Sequence, residues 1–148
     1  MNDIEYMQLA VVQAQAAALR GEVPIGAIVV LGDRVVSAAG NRTITDCDPT
    51  AHAEIVALRE AARKAGNYRL TGASLYVTVE PCAMCAGALV QARVARLVYG
   101  ADEPKGGAVR TCMQVLDAPA LNHRVEVVSG ILEDESVRLL QSFFSSRR

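Results

Sequence analysis

The chain has 148 residues, 51% of them hydrophobic, a net charge of −1 and four cysteines. Such a chain buries a substantial core without staples, which excludes a secreted disulfide framework, and its charge offers no bulk attraction for nucleic acid. No run approaches the roughly 18 apolar residues of a membrane span, and MNDIEYMQLA is acidic where a signal peptide is basic, so a single soluble, cytoplasmic domain over residues 1–148 is expected, with no membrane partner.

In chain order, residues 3–20 place Ile4, Met7, Val11, Ala14 and Ala18 on one stripe and predict an amphipathic helix. Two apolar runs, Pro24–Leu31 and Arg34–Ala39, flank Gly32-Asp33, a hairpin signal. Asn41–Thr50 is polar and reads as loop. From residue 51 the pattern turns helical, with Ile55, Leu58 and Ala62 on one face and Glu60 and Lys64 spaced to pair, up to a stop at Gly66. Ser74–Val79 reads as a buried strand, and Pro81 then opens a small-residue helix over Cys82–Ala92. Arg96–Tyr99 is a further strand. After the loop DEPKGGA come a turn or short helix near Met113–Ala118 and a strand over Arg124–Val128. The last helix opens on Glu133, Asp134 and Glu135 and closes on Arg147 and Arg148, a charge order that suits its dipole. Alternating strands and helices after residue 51 predict a layered α/β fold, its sheet hairpin at one side and parallel at the other.

Two of the four cysteines stand three apart in EPCAMC, Glu80 to Cys85. In the expected strand-to-helix turn both sulfurs share one helix surface, where N-terminal amides favour thiolates. Such turns lie at the carboxyl edge of the sheet, where α/β domains bind ligands. A C-x-x-C beside a βα unit also suits a redox pair, which needs no third residue. A metal site does, and His52-Ala53-Glu54, at another helix start, supplies it. His52, Cys82 and Cys85 make three protein donors and leave one tetrahedral position open, as in catalytic rather than structural zinc sites. Glu54 leaves its helix in another direction from His52, placed to exchange protons with the metal's water or a substrate. Taken singly, His52 is an ordinary structural histidine and Glu54 a first-turn acid that favours the helix dipole.

H-A-E together with P-C-x-x-C resembles the known signature of zinc-dependent nucleobase deaminases. NRTITDCDPTAHAEIVAL, NYRLTGASLYVTVEPCAMCAGAL, the DEPKGGA loop and NHRVEVVSGIL extend the resemblance, over roughly Glu22 to Arg148, to the bacterial tRNA-specific adenosine deaminases. That resemblance implies a three-layer α/β/α sandwich with a mixed five-stranded sheet, cytidine deaminase-like. It implies one Zn2+ per subunit on His52, Cys82 and Cys85, with Glu54 shuttling protons as zinc-activated water displaces ammonia. The implied reaction turns adenosine into inosine at the wobble position of an arginine tRNA anticodon, and the implied assembly is a homodimer whose subunits both contact the RNA.

On the same ground Asn41 touches the flipped adenosine and the backbone of Ala53 lies along the base edge. Glu103, Lys105, Phe144 or its neighbour Phe143, Arg147 and Arg148 are further contacts to the RNA. Glu103 stands where the family usually has Asp, with the same charge and a longer reach. Plainer readings stand beside these. Asn41 suits a turn after Gly40, Gly106 and Gly107 a turn rather than a phosphate cradle, and His123 a cap. One of Phe143 and Phe144 is expected in the core, and Arg147 and Arg148 also suit a solvated helix end. Two other functions share the signature: deamination of a free base or nucleoside, and a zinc-stabilised binding subunit without catalysis.

Overall fold

The computed structural model describes residues 1–147, so Arg148, one of the expected RNA contacts, lies outside the described residues. Helix α1 (Asp3–Leu19) opens on a capping box. The Asn2 side chain accepts the Glu5 amide, and the Glu5 carboxylate accepts the Asn2 amide. Its buried face is Tyr6, Met7, Ala10, Val11, Ala14 and Ala17. Ile4, expected on that stripe, is 49% exposed, and Ala18 is half-buried. At the first turn the inward position belongs to Asp3. Its carboxylate takes two bonds from the Arg96 guanidinium, both 2.7 Å, and one from the Tyr76 hydroxyl, which turns Ile4 outward.

Strands β1 (Gly26–Leu31) and β2 (Arg34–Gly40) form the expected hairpin. Gly32 and Asp33 have φ of 57° and 62°, so both central residues are left-handed, as a type I′ turn requires. Helix α2 (Ala53–Ala65) ends on Gly66 at φ 66°, with the Glu60–Lys64 pair at 2.9 Å on its outer face. Strand β3 (Ser74–Val79), helix α3 (Ala83–Gln91) and strand β4 (Arg96–Ala101) make a parallel βαβ unit. A one-turn 3₁₀ helix covers Val115–Asp117. Strand β5 (Glu126–Val128) begins two residues later than expected, and the Arg124 guanidinium before it bonds to the carbonyls of Leu116, Ala118 and Pro119. Helix α4 (Glu133–Ser145) closes the described chain.

The five strands run in the order β2-β1-β3-β4-β5, antiparallel at β2-β1-β3 and parallel at β3-β4-β5. Alternation along the central strands sorts side chains into two layers. Val29, Leu75, Val77, Leu97 and Tyr99 pack with Leu58 of α2 and Leu89 of α3. Ile28, Val30, Tyr76 and Val98 pack against Tyr6, Met7 and Ala10 of α1. The result is the expected three-layer α/β/α sandwich, with α2 and α3 on one face and α1 and α4 on the other. Among the described residues no helix is long and apolar enough to cross a membrane.

Neither Phe143 nor Phe144 enters the core. Helix α4 shares its sheet face with α1, and its last turn packs on itself. Phe143 is half-buried, edge-on to Phe144 and beneath the Arg147 guanidinium, 4.0 Å from the ring centre, while Phe144 is 47% exposed.

Helix α1 lies so close to β1 that a Cβ on Gly26 would run into the Ala10 carbonyl and the Ala14 amide, which are backbone and cannot swing aside. Gly26→Ala is therefore expected to lower the unfolding free energy by about 1–3 kcal/mol, as overpacking does. A fall in the urea midpoint at unchanged slope checks it.

Candidate active site

Two helix N-termini meet beside the end of β3. His52 is the N-cap of α2 and Cys82 the N-cap of α3, both with extended backbone, and Cys85 lies one turn into α3. Pro81 carries the chain from strand to helix without a backbone donor that would need a partner. Across thirty residues of sequence, His52 Nδ1 sits 3.6 Å from Cys82 Sγ, and it is 3.5 Å from Cys85 Sγ. The three donor atoms lie within 4.8 Å of one another and are a group that can hold a metal ion.

Their electrostatics fit a cation. Bonds from the Cys85 thiol and from His52 drive Cys82 down to about 3, so its sulfur is a thiolate. The same bond to Cys82 holds His52 above its ordinary value, against burial. Cys85, fully buried, is pushed up because it keeps a proton to share with its neighbour. A metal ion replaces such shared protons by direct ligation.

Glu54 lies against this corner without belonging to the donor group. It is 4% exposed, and burial pushes its carboxyl up to about 7. Its own backbone amide, His52 and Cys85 oppose the shift, and the Cys82 charge adds to it. Ala53, between His52 and Glu54, is fully buried at the first position of α2.

Two loops are tied to this edge by buried carboxylates that sequence reasoning passed over. Glu22, with no exposed surface, accepts the amides of Ile44 (3.3 Å) and Thr45 (2.7 Å) and the hydroxyls of Thr43 (3.4 Å) and Thr45 (2.6 Å). It shapes the loop that begins at Asn41. That asparagine is buried, its side-chain amide donating to Thr43 Oγ1 and its carbonyl accepting from Arg20. The loop closes beside His52 through the Arg42 amide, which donates to the Ala51 carbonyl at 2.9 Å.

Glu80, 3% exposed, holds residues 103–111 in the same way. It accepts the amides of Glu103 (3.0 Å), Val109 (3.1 Å), Arg110 (2.8 Å) and Thr111 (3.1 Å), and the Thr111 hydroxyl (3.0 Å). Glu103 is half-buried and its carboxylate is turned onto the Lys105 amide, 3.0 Å away, whereas Lys105 is exposed. A signal for both acids was present in the sequence. Glu80 adjoins a proline and Glu22 stands two residues before one, each near an apolar strand, in GEVPIGAIVV and SLYVTVEPC, and an acid entering a core must find donors.

Other expected residues stay apart. Phe144 belongs to α4 and Arg147 follows it two residues past its end, and among the described residues α4 touches neither α2 nor α3. His123 bonds through Nε2 to the Val94 carbonyl at 2.6 Å, a structural tie. Cys47 and Cys112 are exposed and outside the donor group, Cys47 at φ 48°.

The sheet order and this corner place the protein among the deaminases of cytidine deaminase-like fold, and the model of the MafB19-like deaminase family matches residues 1–148. A tRNA-specific adenosine deaminase of Agrobacterium fabrum is 50% identical over 143 residues, 97% of this chain and 94% of that one. The chain belongs to the family of tRNA-specific adenosine deaminases. A solved structure from work on A-to-I editing by tRNA:A34 deaminases at the wobble position of transfer RNA superposes with a TM-score of 0.90. It is 50% identical and covers 92% of this chain and 99% of that one. A guanine deaminase from Bacillus subtilis is more distant, 37% identical with a TM-score of 0.67 over 69% of this chain and 66% of that one.

Both loop-tying carboxylates face burial, which raises a carboxyl, but their hydrogen bonds win and hold them below the ordinary range. The stabilisation they contribute is therefore full above the ordinary carboxylate value and lost as pH falls through the lower, folded one. Hydrogen exchange corrected for intrinsic rate is expected to accelerate at Ile44, Thr45 and residues 109–111 below about pH 4, and to stay flat between about pH 6 and 8.

Proposed function

We propose that this chain hydrolyses adenosine to inosine at the wobble position of a tRNA anticodon, in the cytoplasm and as a homodimer. The observation that carries the reading is the approach of His52 Nδ1 to both sulfurs with Glu54 buried alongside, in a chain of this family.

Zinc fits the three donors. With bonds of about 2.3 Å to sulfur and about 2.0–2.1 Å to nitrogen, a tetrahedral ion sets each N···S edge at about 3.6 Å. The edges here are 3.6 and 3.5 Å. Held by His52, Cys82 and Cys85, zinc supplies the Lewis acidity that makes water a nucleophile at neutral pH. The rest of the chemistry falls to the protein. A new C–O bond forms at the amino-bearing carbon of the base, the C–N bond breaks, and ammonia leaves. Glu54 is the group that takes a proton from the water and returns one to the departing nitrogen. A carboxyl near 7 does both at neutral pH, and a cation among its neighbours would lower it again. The buried Asn41 side chain and the Ala53 backbone hold the adenosine. Glu103, Lys105, Phe144, Arg147 and Arg148 meet the surrounding RNA.

An anticodon loop suits such a site, since an unpaired base costs little to extrude. Support for the dimer comes from an apolar groove along α2 and α3. Ile55, Leu58, Ala62, Ala88 and Ala92 line it, and Tyr68 beside it is 71% exposed.

Mass spectrometry after incubation with an arginine-tRNA anticodon stem-loop is expected to show inosine at the wobble position. Free adenosine, guanine, cytosine and cytidine should stay intact. Turnover of a free base alone would keep the hydrolytic chemistry and overturn the tRNA substrate. Glu54→Ala is expected to retain about one zinc per chain by elemental analysis while kcat falls by a factor of about 10²–10⁴. Unchanged turnover in that variant would remove Glu54 from the mechanism. Cys82→Ser is expected to lose both metal and activity.

A further inference from the structure

We infer that Glu80 is a positioning residue for RNA binding: its carboxylate clasps both ends of the 103–111 loop and presets the tip that receives the substrate. The inference rests on the tRNA reading above. Both carboxylate oxygens are used, and they divide the loop between them. Oε1 takes the Glu103 amide from the near end and the Thr111 hydroxyl from the far end. Oε2 takes the amides of Val109, Arg110 and Thr111. All five donors are neutral, so the charge is met by converging amides and a hydroxyl, the arrangement by which backbone nests hold anions.

The loop is built around the clasp. A Cβ on Gly107 would intrude on the Glu80 carboxylate and the Thr111 hydroxyl, so a larger residue there would have to displace the clasp. The single Thr111 hydroxyl proton is shared between Glu80 Oε1 at 3.0 Å and the Glu103 carbonyl at 2.8 Å, and the Gly107 amide donates to that carbonyl at 2.8 Å. The tip stands outside, with Pro104 and Lys105 exposed, as are Arg110 and Thr111 at the far end of the loop.

The clasp is also continuous with the chemistry. Glu80 stands two residues before Cys82, its amide donating to the Ala101 carbonyl at 2.8 Å. The Pro81 carbonyl accepts the Ala108 amide at 2.9 Å. The substrate-facing loop is therefore carried by the same turn that delivers a metal donor. A tip fixed in advance spares the RNA the cost of ordering it on binding. Loss of the clasp should accordingly appear in KM rather than in kcat.

Glu80→Gln keeps the shape but turns one oxygen into an NH2 group facing N–H donors. With the zinc-loaded enzyme and the anticodon stem-loop, KM is expected to rise about tenfold or more while kcat changes less than about threefold. Zinc content should match that of the parent, and exchange at the amides of Glu103 and residues 109–111 should accelerate. Thr111→Val, which removes one donor with almost no change of shape, is expected to shift KM and exchange in the same direction by less. An unchanged KM in zinc-loaded Glu80→Gln overturns the inference, as does a loss confined to kcat. If Glu80→Gln does not fold, Thr111→Val decides, and an unchanged KM there overturns it equally. A parent enzyme inactive on the stem-loop overturns the tRNA reading and the RNA role of Glu80 together. That outcome is distinct from failure of the clasp, which leaves the parent active.

Discussion

The constraint on which this molecule depends is that one imidazole nitrogen must stand within about a coordination edge of two sulfurs that the chain supplies from another helix. An error of an ångström there would leave a pair of cysteines and a histidine with no common partner. The distances of 3.6 and 3.5 Å are met because α2 and α3 pack on the same face of one sheet and begin at the same edge of it. Leu58 and Leu89, fully or nearly buried against Leu75 and Val77, lock the two helices to the strand between them. The core is thus the jig for the site. A close-packed interior transmits any shift of a helix axis directly to the donors at its end.

Around this corner the protein handles negative charge in two ways. The thiolate of Cys82 and the carboxyl of Glu54 are left competing for protons, Cys82 pulled down by its donors and Glu54 pushed up by burial. Groups in that condition suit metal binding and proton transfer near neutrality. Glu22 and Glu80 are just as buried but fully furnished with donors, and are held charged well below the ordinary range. Burial alone does not separate the reactive acid from the anchoring ones. The number of N–H and O–H groups aimed at the carboxylate does.

Much of this was legible in the chain. The hairpin followed from Gly32-Asp33, the βαβ unit from an apolar strand meeting Pro81, and the metal corner from two short motifs whose residue types leave few chemistries open. The misreadings have local causes. Ile4 fits the helical stripe by spacing, but the inward place on that turn is taken by the Asp3–Arg96–Tyr76 cluster, which joins residues 73 and 93 positions apart. One of Phe143 and Phe144 reads as core by periodicity, yet α4 shares its sheet face with α1 and packs its last turn on itself. The sequence signalled only that Glu22 and Glu80, acids near a proline and an apolar strand, must find donors; what they anchor was not legible, since those donors lie 21 to 31 positions away.

The sequence by itself determined the element types, the alternation that makes a layered α/β fold, and the identities of the metal-capable donors, because periodicity, turn chemistry and residue type are local properties. Only the tertiary structure decided that β1 separates β2 from β3 and that both helix N-termini reach one edge. It alone assigned Glu54 to burial beside the donors and Glu22 and Glu80 to the loops. Each of these is a contact between residues distant in the chain, and its sign and strength depend on which groups the fold brings within hydrogen-bonding reach.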